Sequence, residues 1–216
     1  MSTLQPAKNL CSQPAANFGS LTVRPPQIAS GQRIGILGGS FNPPHDGHRN
    51  LSLMALKTLE LDRVWWLVTP GNPIKSHSGL AALNERVQAA EAVSSHPRID
   101  VTAFEASLPT NYTADTLQFL KRRFSGVDFV WLMGADNLVS FHKWQKWKTI
   151  FHTMPIAVFD RPGYMMKALS SPAAQTFAQA RITNGHAIRL AHQAPPSWQF
   201  ISIPLSHLSS TDLRNS

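Results

Sequence analysis

Six short apolar runs, separated by longer stretches with helical spacing, constrain this chain more than any other feature of its sequence. Ile34–Leu37, Val64–Val68, Ile99–Ala103, Phe129–Met133, Ile156–Phe159 and Phe200–Ile203 read as strands. Between the first two, Leu51, Met54, Ala55 and Leu59 recur on one helical face; Leu83, Val87, Ala90 and Val93 do so between the next two, and Leu117, Leu120 and Phe124 precede the fourth. Strand, helix and strand in repeated alternation predict right-handed crossovers, hence an α/β fold: a doubly wound, mostly parallel sheet with helices on both faces. Such sheets bind ligands beyond the carboxyl ends of their strands, where the crossover direction switches. The loops after the strands are therefore where chemistry is expected.

At 216 residues the chain suits one such domain. We expect a mobile N-terminal tail over residues 1–31, which hold four prolines and no acidic residue, and a single domain over residues 32–216. The tail carries only Lys8 and Arg24 as cations and lacks the apolar run of a secretory signal, so a targeting peptide is disfavoured. With 43% hydrophobic and 15% charged residues the composition is that of a globular protein. No run approaches the ~18 apolar residues of a membrane helix. The single cysteine, Cys11, has no partner for a disulfide or a thiolate metal site, which fits a reducing cytoplasm. A net charge of +8 points to anionic partners without choosing among nucleic acid, acidic lipid and polyphosphate metabolites. The longest basic cluster, Lys121, Arg122 and Arg123, reads as the solvated face of an amphipathic helix.

The sequence has no Gly-Lys pair for a P-loop and no G-x-G for a dinucleotide fingerprint. The first strand instead runs into Gly38-Gly39-Ser40-Phe41-Asn42-Pro43-Pro44-His45-Asp46-Gly47-His48. The glycines lack β-carbons and so allow close approach of a ligand to the backbone or a tight turn. Two prolines stiffen the middle of the loop, and two imidazoles three residues apart open the first helix, whose amides and dipole favour an anion. Metal ligation by His45 and His48 is the weaker reading, since no thiolate or third histidine stands nearby in sequence.

The run GGSFNPPHDGH resembles the GGxFxPxHxGH signature of nucleotidyltransferases of the HxGH type, and Ser209-Ser210-Thr211-Asp212-Leu213-Arg214 resembles their second signature, SSTxxR. The two stand in the family's order, about 170 residues apart. Within that superfamily, Asn111-Tyr112-Thr113-Ala114-Asp115-Thr116-Leu117, Gly134-Ala135-Asp136-Asn137-Leu138, a later Trp144, and Arg161-Pro162-Gly163-Tyr164 resemble stretches of the bacterial nicotinate mononucleotide adenylyltransferases. The resemblance spans Arg33 to Arg214 and implies a Rossmann-like fold.

The activity it implies is transfer of AMP from ATP to the 5′-phosphate of nicotinate mononucleotide, giving nicotinate adenine dinucleotide (deamido-NAD) and pyrophosphate, a step of NAD biosynthesis. The acceptor phosphate is already ionised at neutral pH, so no general base is needed. Catalysis reduces to positioning and to stabilising negative charge on the α-phosphoryl and the leaving pyrophosphate. By resemblance, His45, His48 and Arg214 are catalytic, with His48 acting on the transition state. Gly38, Gly39, Ser40, Phe41, Lys75, Gly134, Asp136, Ser209, Ser210 and Thr211 are the matching ATP-binding positions. Thr113, Trp144, Gln145 and Arg161 match the acceptor-binding ones, Trp144 as a stacking face for the pyridine and Thr113 and the Gln145 amide for its carboxylate. Trp147 is expected to pack in the core instead.

Mg²⁺ is expected to arrive with ATP, held by phosphates and water rather than by a protein cage. The expected partners are these small molecules alone, without nucleic acid or membrane, in a monomer or weak homo-oligomer. The family pattern continues past SSTxxR into a longer helix, and with two residues after Arg214 that turn is expected to be loosely held. The rival readings are the same transfer to nicotinamide mononucleotide or phosphopantetheine and, in a different class, a basic nucleic-acid binder using the Trp144/Trp147 loop.

Overall fold

The computed structural model describes residues 23–71, 80–110, 112–183 and 187–202. Strands β1 (Arg33–Gly39), β2 (Arg63–Val68), β3 (Ile99–Thr102), β4 (Asp128–Gly134), β5 (Ile156–Phe159) and β6 (Trp198–Ile201) form one sheet in the order β3-β2-β1-β4-β5-β6. Every neighbouring pair is parallel. Each strand lies where an apolar run predicts it. The last begins earlier than its run, at Trp198, because the buried but polar Gln199 interrupts the pattern.

The runs are continuous rather than alternating because both faces are covered. Adjacent Trp65 and Trp66 of β2 are both fully buried, one in each core. One face, with Ile34, Ile36, Trp65 and Trp131, packs under α3 (Thr113–Arg123), α4 (Ala135–Ser140) and α5 (Trp147–Thr153). The other, with Leu37, Val64, Trp66 and Leu132, packs under α1 (Asp46–Thr58) and α2 (Leu83–Ser94).

From β1 the chain winds outward to β3 and then returns to place β4 on β1's other side. The winding direction thus reverses between β1 and β4, which opens a crevice at their carboxyl ends. Gly39 and Gly134 end those two strands. Residues 1–22 of the expected tail lie outside the described residues. Of the remainder, the Arg24 carbonyl accepts a hydrogen bond from the Thr102 hydroxyl (3.1 Å), and the Gly31 amide donates to the Gly126 carbonyl (2.7 Å). Among the described residues no helix is long and apolar enough to cross a membrane.

Candidate active site

The turn from β1 into α1 is built by its two histidines. His45, in extended conformation (φ −152°), is the N-cap of α1, and its Nδ1 accepts the Gly47 amide N–H at 3.1 Å. His48, in the first turn, reaches back so that its own Nδ1 accepts the His45 amide N–H at 3.2 Å. This is a capping box in which imidazoles replace the usual hydroxyl and carboxylate. A nitrogen that accepts a hydrogen bond carries no proton, so these bonds assign both rings the neutral tautomer with the proton on Nε2. The ring centroids lie 3.9 Å apart. Burial, reinforced by the neighbouring His45 and the Arg161 guanidinium, lowers the pKa of His48 to about 3. The His48 ring is therefore uncharged at neutral pH and carries its N–H on Nε2.

Behind His48 stands a closed set of supports. The Phe41 ring lies 4.8 Å from that of His48 and stacks on Trp66 at 5.0 Å. The fully buried Ser52 hydroxyl donates to the His48 carbonyl (2.9 Å) and accepts from Trp66 Nε1 (2.7 Å). Phe41 adopts φ +46°, a left-handed conformation that costs a bulky residue on the order of 1 kcal/mol. Burial of its ring, 1% exposed, outweighs that cost. The side chain of Phe41 is thus a floor under His48, which leaves its main chain as the part available to a ligand. Gly38 is closely packed on one side. A β-carbon there would stand 2.4 Å from Cη2 of Trp131, so an indole from β4 occupies the room this glycine leaves. A β-carbon on Gly39 would meet the Phe41 ring in ordinary contact at 3.4 Å.

Across the crevice, β4 ends at Gly134 and α4 carries Asp136 in its first turn. Arg161, just beyond β5, pairs with Asp136 (Nε to Oδ1, 3.1 Å). The pair passes directly over Gly134, where a β-carbon would lie 2.3 Å from Asp136 Oδ1 and 2.8 Å from Arg161 Nε. Arg161 also stands close enough to His48 to disfavour its protonation. The structure therefore brings His45, His48, Gly134, Asp136 and Arg161 to one place from separate segments of the chain.

The wall beyond them holds Trp144, half-buried, with its ring edge-on to Trp131 (6.4 Å) and tilted on Phe141 (5.1 Å). Since Trp131 covers Gly38, this places Trp144 beside the β1–β4 crevice. Gln145 is exposed, and Lys146, at φ +54°, pairs with Asp115 at 2.8 Å in the first turn of α3. That bond ties the Trp144 loop to the start of α3, where Thr113 sits. The Thr116 hydroxyl donates to buried Glu105 at 2.8 Å, further fixing the helix, while burial raises the carboxyl's pKa. Trp147, half-buried like Trp144, packs edge-on against Phe151 and Phe177. Lys75, Asn111, Ser209, Ser210, Thr211 and Arg214 lie outside the described residues.

Sequence reasoning passed over Arg86, Ser52, Trp66 and Trp131. Arg86 did leave a signal. It stands three residues after Leu83 and one before Val87, inside the apolar stripe of α2, where a cation is out of place unless it has buried partners. Ser52 comes after Leu51 on the buried side of α1, but nothing in the sequence shows that its hydroxyl joins two segments.

A Rossmann-like sheet with a histidine-capped helix at its switch point defines a class, and residues 36–216 match the family model described as Cytidylyltransferase-like. Similar sequences include a probable nicotinate-nucleotide adenylyltransferase of Bradyrhizobium sp. (strain ORS 278), 55% identical over 85% of this chain and 95% of that protein. One from Agrobacterium fabrum is 56% identical over 84% of this chain and 97% of that protein, and one from Brucella suis biovar 1 is 51% identical over 84% and 93%. In fold, the chain is similar to Plasmodium falciparum nicotinic acid mononucleotide adenylyltransferase complexed with NaAD (TM-score 0.63, 16% identity, 85% of this chain and 83% of that one). The chain belongs to the nicotinate-nucleotide adenylyltransferase family within this class.

Proposed function

We propose that this chain transfers AMP from ATP to the 5′-phosphate of nicotinate mononucleotide, giving nicotinate adenine dinucleotide and pyrophosphate. The observation that carries the reading is the pair of imidazoles locked into the first turn of α1 at the switch point, in a chain with relatives of that name at 51–56% identity. An oxygen of the acceptor phosphate attacks the α-phosphorus of ATP; the new P–O bond forms as the bond to the β-bridging oxygen breaks, and its electrons leave with pyrophosphate. No proton transfer is required. The residues' task is to donate hydrogen bonds to oxygens that gain charge, and rings held by their Nδ1 atoms reorganise little as they do so. His48 is assigned to the transition state, with His45 on the ATP phosphates. Arg161 adds a fixed cation, and Asp136 accepts from ribose hydroxyls. Ser40, Gly39 and Gly134 contribute main chain to the adenosine half, while Lys75, Ser209, Ser210, Thr211 and Arg214 are assigned to the phosphates from sequence alone.

Among the described residues no three carboxylates, imidazoles or thiols gather as a metal cage. Mg²⁺ is assigned to enter on the phosphates of ATP, held there by phosphate oxygens and water. Trp144 offers the stacking face for the pyridine, with Thr113 and Gln145 for its carboxylate. Where these groups present N–H or O–H donors to the ring substituent, they favour the acid over the amide substrate. We assign residues 32–216 to one catalytic domain, acting in the cytoplasm as a monomer or weak homo-oligomer on small molecules rather than on nucleic acid. Pyrophosphate release from Mg-ATP, with nicotinate and nicotinamide mononucleotides offered in parallel, tests the reading. Release strongly favouring the acid is expected; equal kcat/KM for both overturns the acid preference, and release with neither overturns the acceptor.

A further inference from the structure

Arg86 is the most deeply buried cation among the described residues, 2% exposed, and none of the ion pairs described there involves it. Removing a charge from water to this depth costs several kcal/mol unless other polar groups replace the solvent. Its guanidinium finds them in four backbone carbonyls. Nη1 donates to Ser40 (2.7 Å) and Thr69 (2.8 Å), Nη2 to Pro70 (3.1 Å) and Nε to Ala81 (2.9 Å). Burial still lowers its pKa, but an arginine stays charged under such lowering.

The positions of these acceptors matter more than their number. The β1–β2 ladder ends at Gly39 and Val68, with a last backbone bond from the Thr69 amide to the Gly39 carbonyl (3.0 Å). Ser40, Thr69 and Pro70 are the first residues beyond it, where strands no longer hold one another. Ser40 opens the segment that ends at His45, and Ala81 immediately precedes the cap of α2. One planar fork thus spans the β1 exit, the β2 exit and the start of α2. Asn42 reinforces the same junction through its Oδ1, which accepts the Ala81 amide at 3.4 Å. A lysine at position 86 has three donors around a point charge and no fixed fork.

We propose that Arg86 is a positioning residue of the ATP site, holding the histidine turn in register with the β2 exit and adding buried positive charge behind it. This rests on the functional reading above. The test compares the full-length wild type with Arg86→Lys and Arg86→Gln, reading circular dichroism, the KM of each substrate, kcat, and binding of the Mg²⁺ complex of α,β-methylene-ATP by calorimetry. The expected result is native circular dichroism, kcat/KM for ATP reduced about 10²-fold or more, weaker analogue binding, and a KM for nicotinate mononucleotide within twofold of wild type. Arg86→Gln, which keeps two N–H donors and removes the charge, covers the case in which the lysine chain disturbs packing. Unchanged ATP parameters in a folded variant overturn the proposal. An equal rise in both KM values, or loss of the folded state in both variants, also overturns it, because Arg86 then supports the fold as a whole. Analogue binding needs no acceptor, so a wrong acceptor assignment leaves this comparison readable.

Discussion

At the start of α1, two imidazoles, a phenyl ring, an indole and a hydroxyl hold one another through contacts that are all buried or half-buried. Around Trp144 the construction is looser: the loop is tied to α3 by an ion pair whose lysine side chain is 53% exposed, and Gln145 stands in solvent. The proposed function gives the two regions different chemical tasks. Stabilising charge on a reacting phosphorus demands donors fixed before the substrate arrives. Recognising a flat ring by stacking and a few hydrogen bonds tolerates side chains that settle on it. On that assignment, rigidity is concentrated around the proposed phosphate donors.

The strongest way to break this comparison is His48→Ala. Loss of one preorganised donor lowers kcat by about 10²–10³-fold with the fold intact, as measured by pyrophosphate release and circular dichroism. Unchanged kcat removes His48 from the mechanism. On the looser side, Trp144→Ala raises the KM for nicotinate mononucleotide about tenfold, the equivalent of ~1.4 kcal/mol, and leaves the KM for ATP alone. Trp147→Ala is its control: it lowers stability by on the order of 2 kcal/mol through lost packing on Phe151 and Phe177, with both KM values retained.

Acidification separates the regions by another route. The pKa of His48 is about 3 in the folded protein against an ordinary 6.5, so between those values the unfolded chain binds more protons. The stability contributed by the neutral ring is complete above pH 6.5 and is lost as pH falls toward 3. Thermal melts of wild type and His48→Asn from about pH 7 to about pH 4 test this, with a shallower fall in Tm expected for the variant. The smallest effect is Lys146→Ala, which removes an exposed ion pair worth less than about 1 kcal/mol and shifts the acceptor KM by a fewfold at most. A larger shift would show the Trp144 wall to be as rigid as the histidine turn.

Most of this architecture is written in local pattern. The six strands come from apolar runs, the crevice from the alternation of strand and helix, and the histidine turn from its unusual string of glycines, prolines and imidazoles. Residues that act across the sequence leave far less trace. The bond of Arg86 to Ser40 spans 46 positions and that of Trp66 to Ser52 spans 14, and no periodicity encodes such distances. Phe41 is legible as part of the signature but not as a buried floor, because an aromatic at positive φ is set by tertiary packing against local preference.

The first glycine of the signature has a packing role of its own. Trp131 requires the absence of a side chain at Gly38, whereas Gly38 does not require Trp131. The dependence runs one way, so inheritance of the glycine is tied to the indole on the neighbouring strand. A descendant that lost both histidines and all activity would still be held to glycine there for as long as it kept the tryptophan. A lineage that exchanged the tryptophan for a smaller residue would be released to vary. Between such lineages, retention of this glycine records the packing of a sheet.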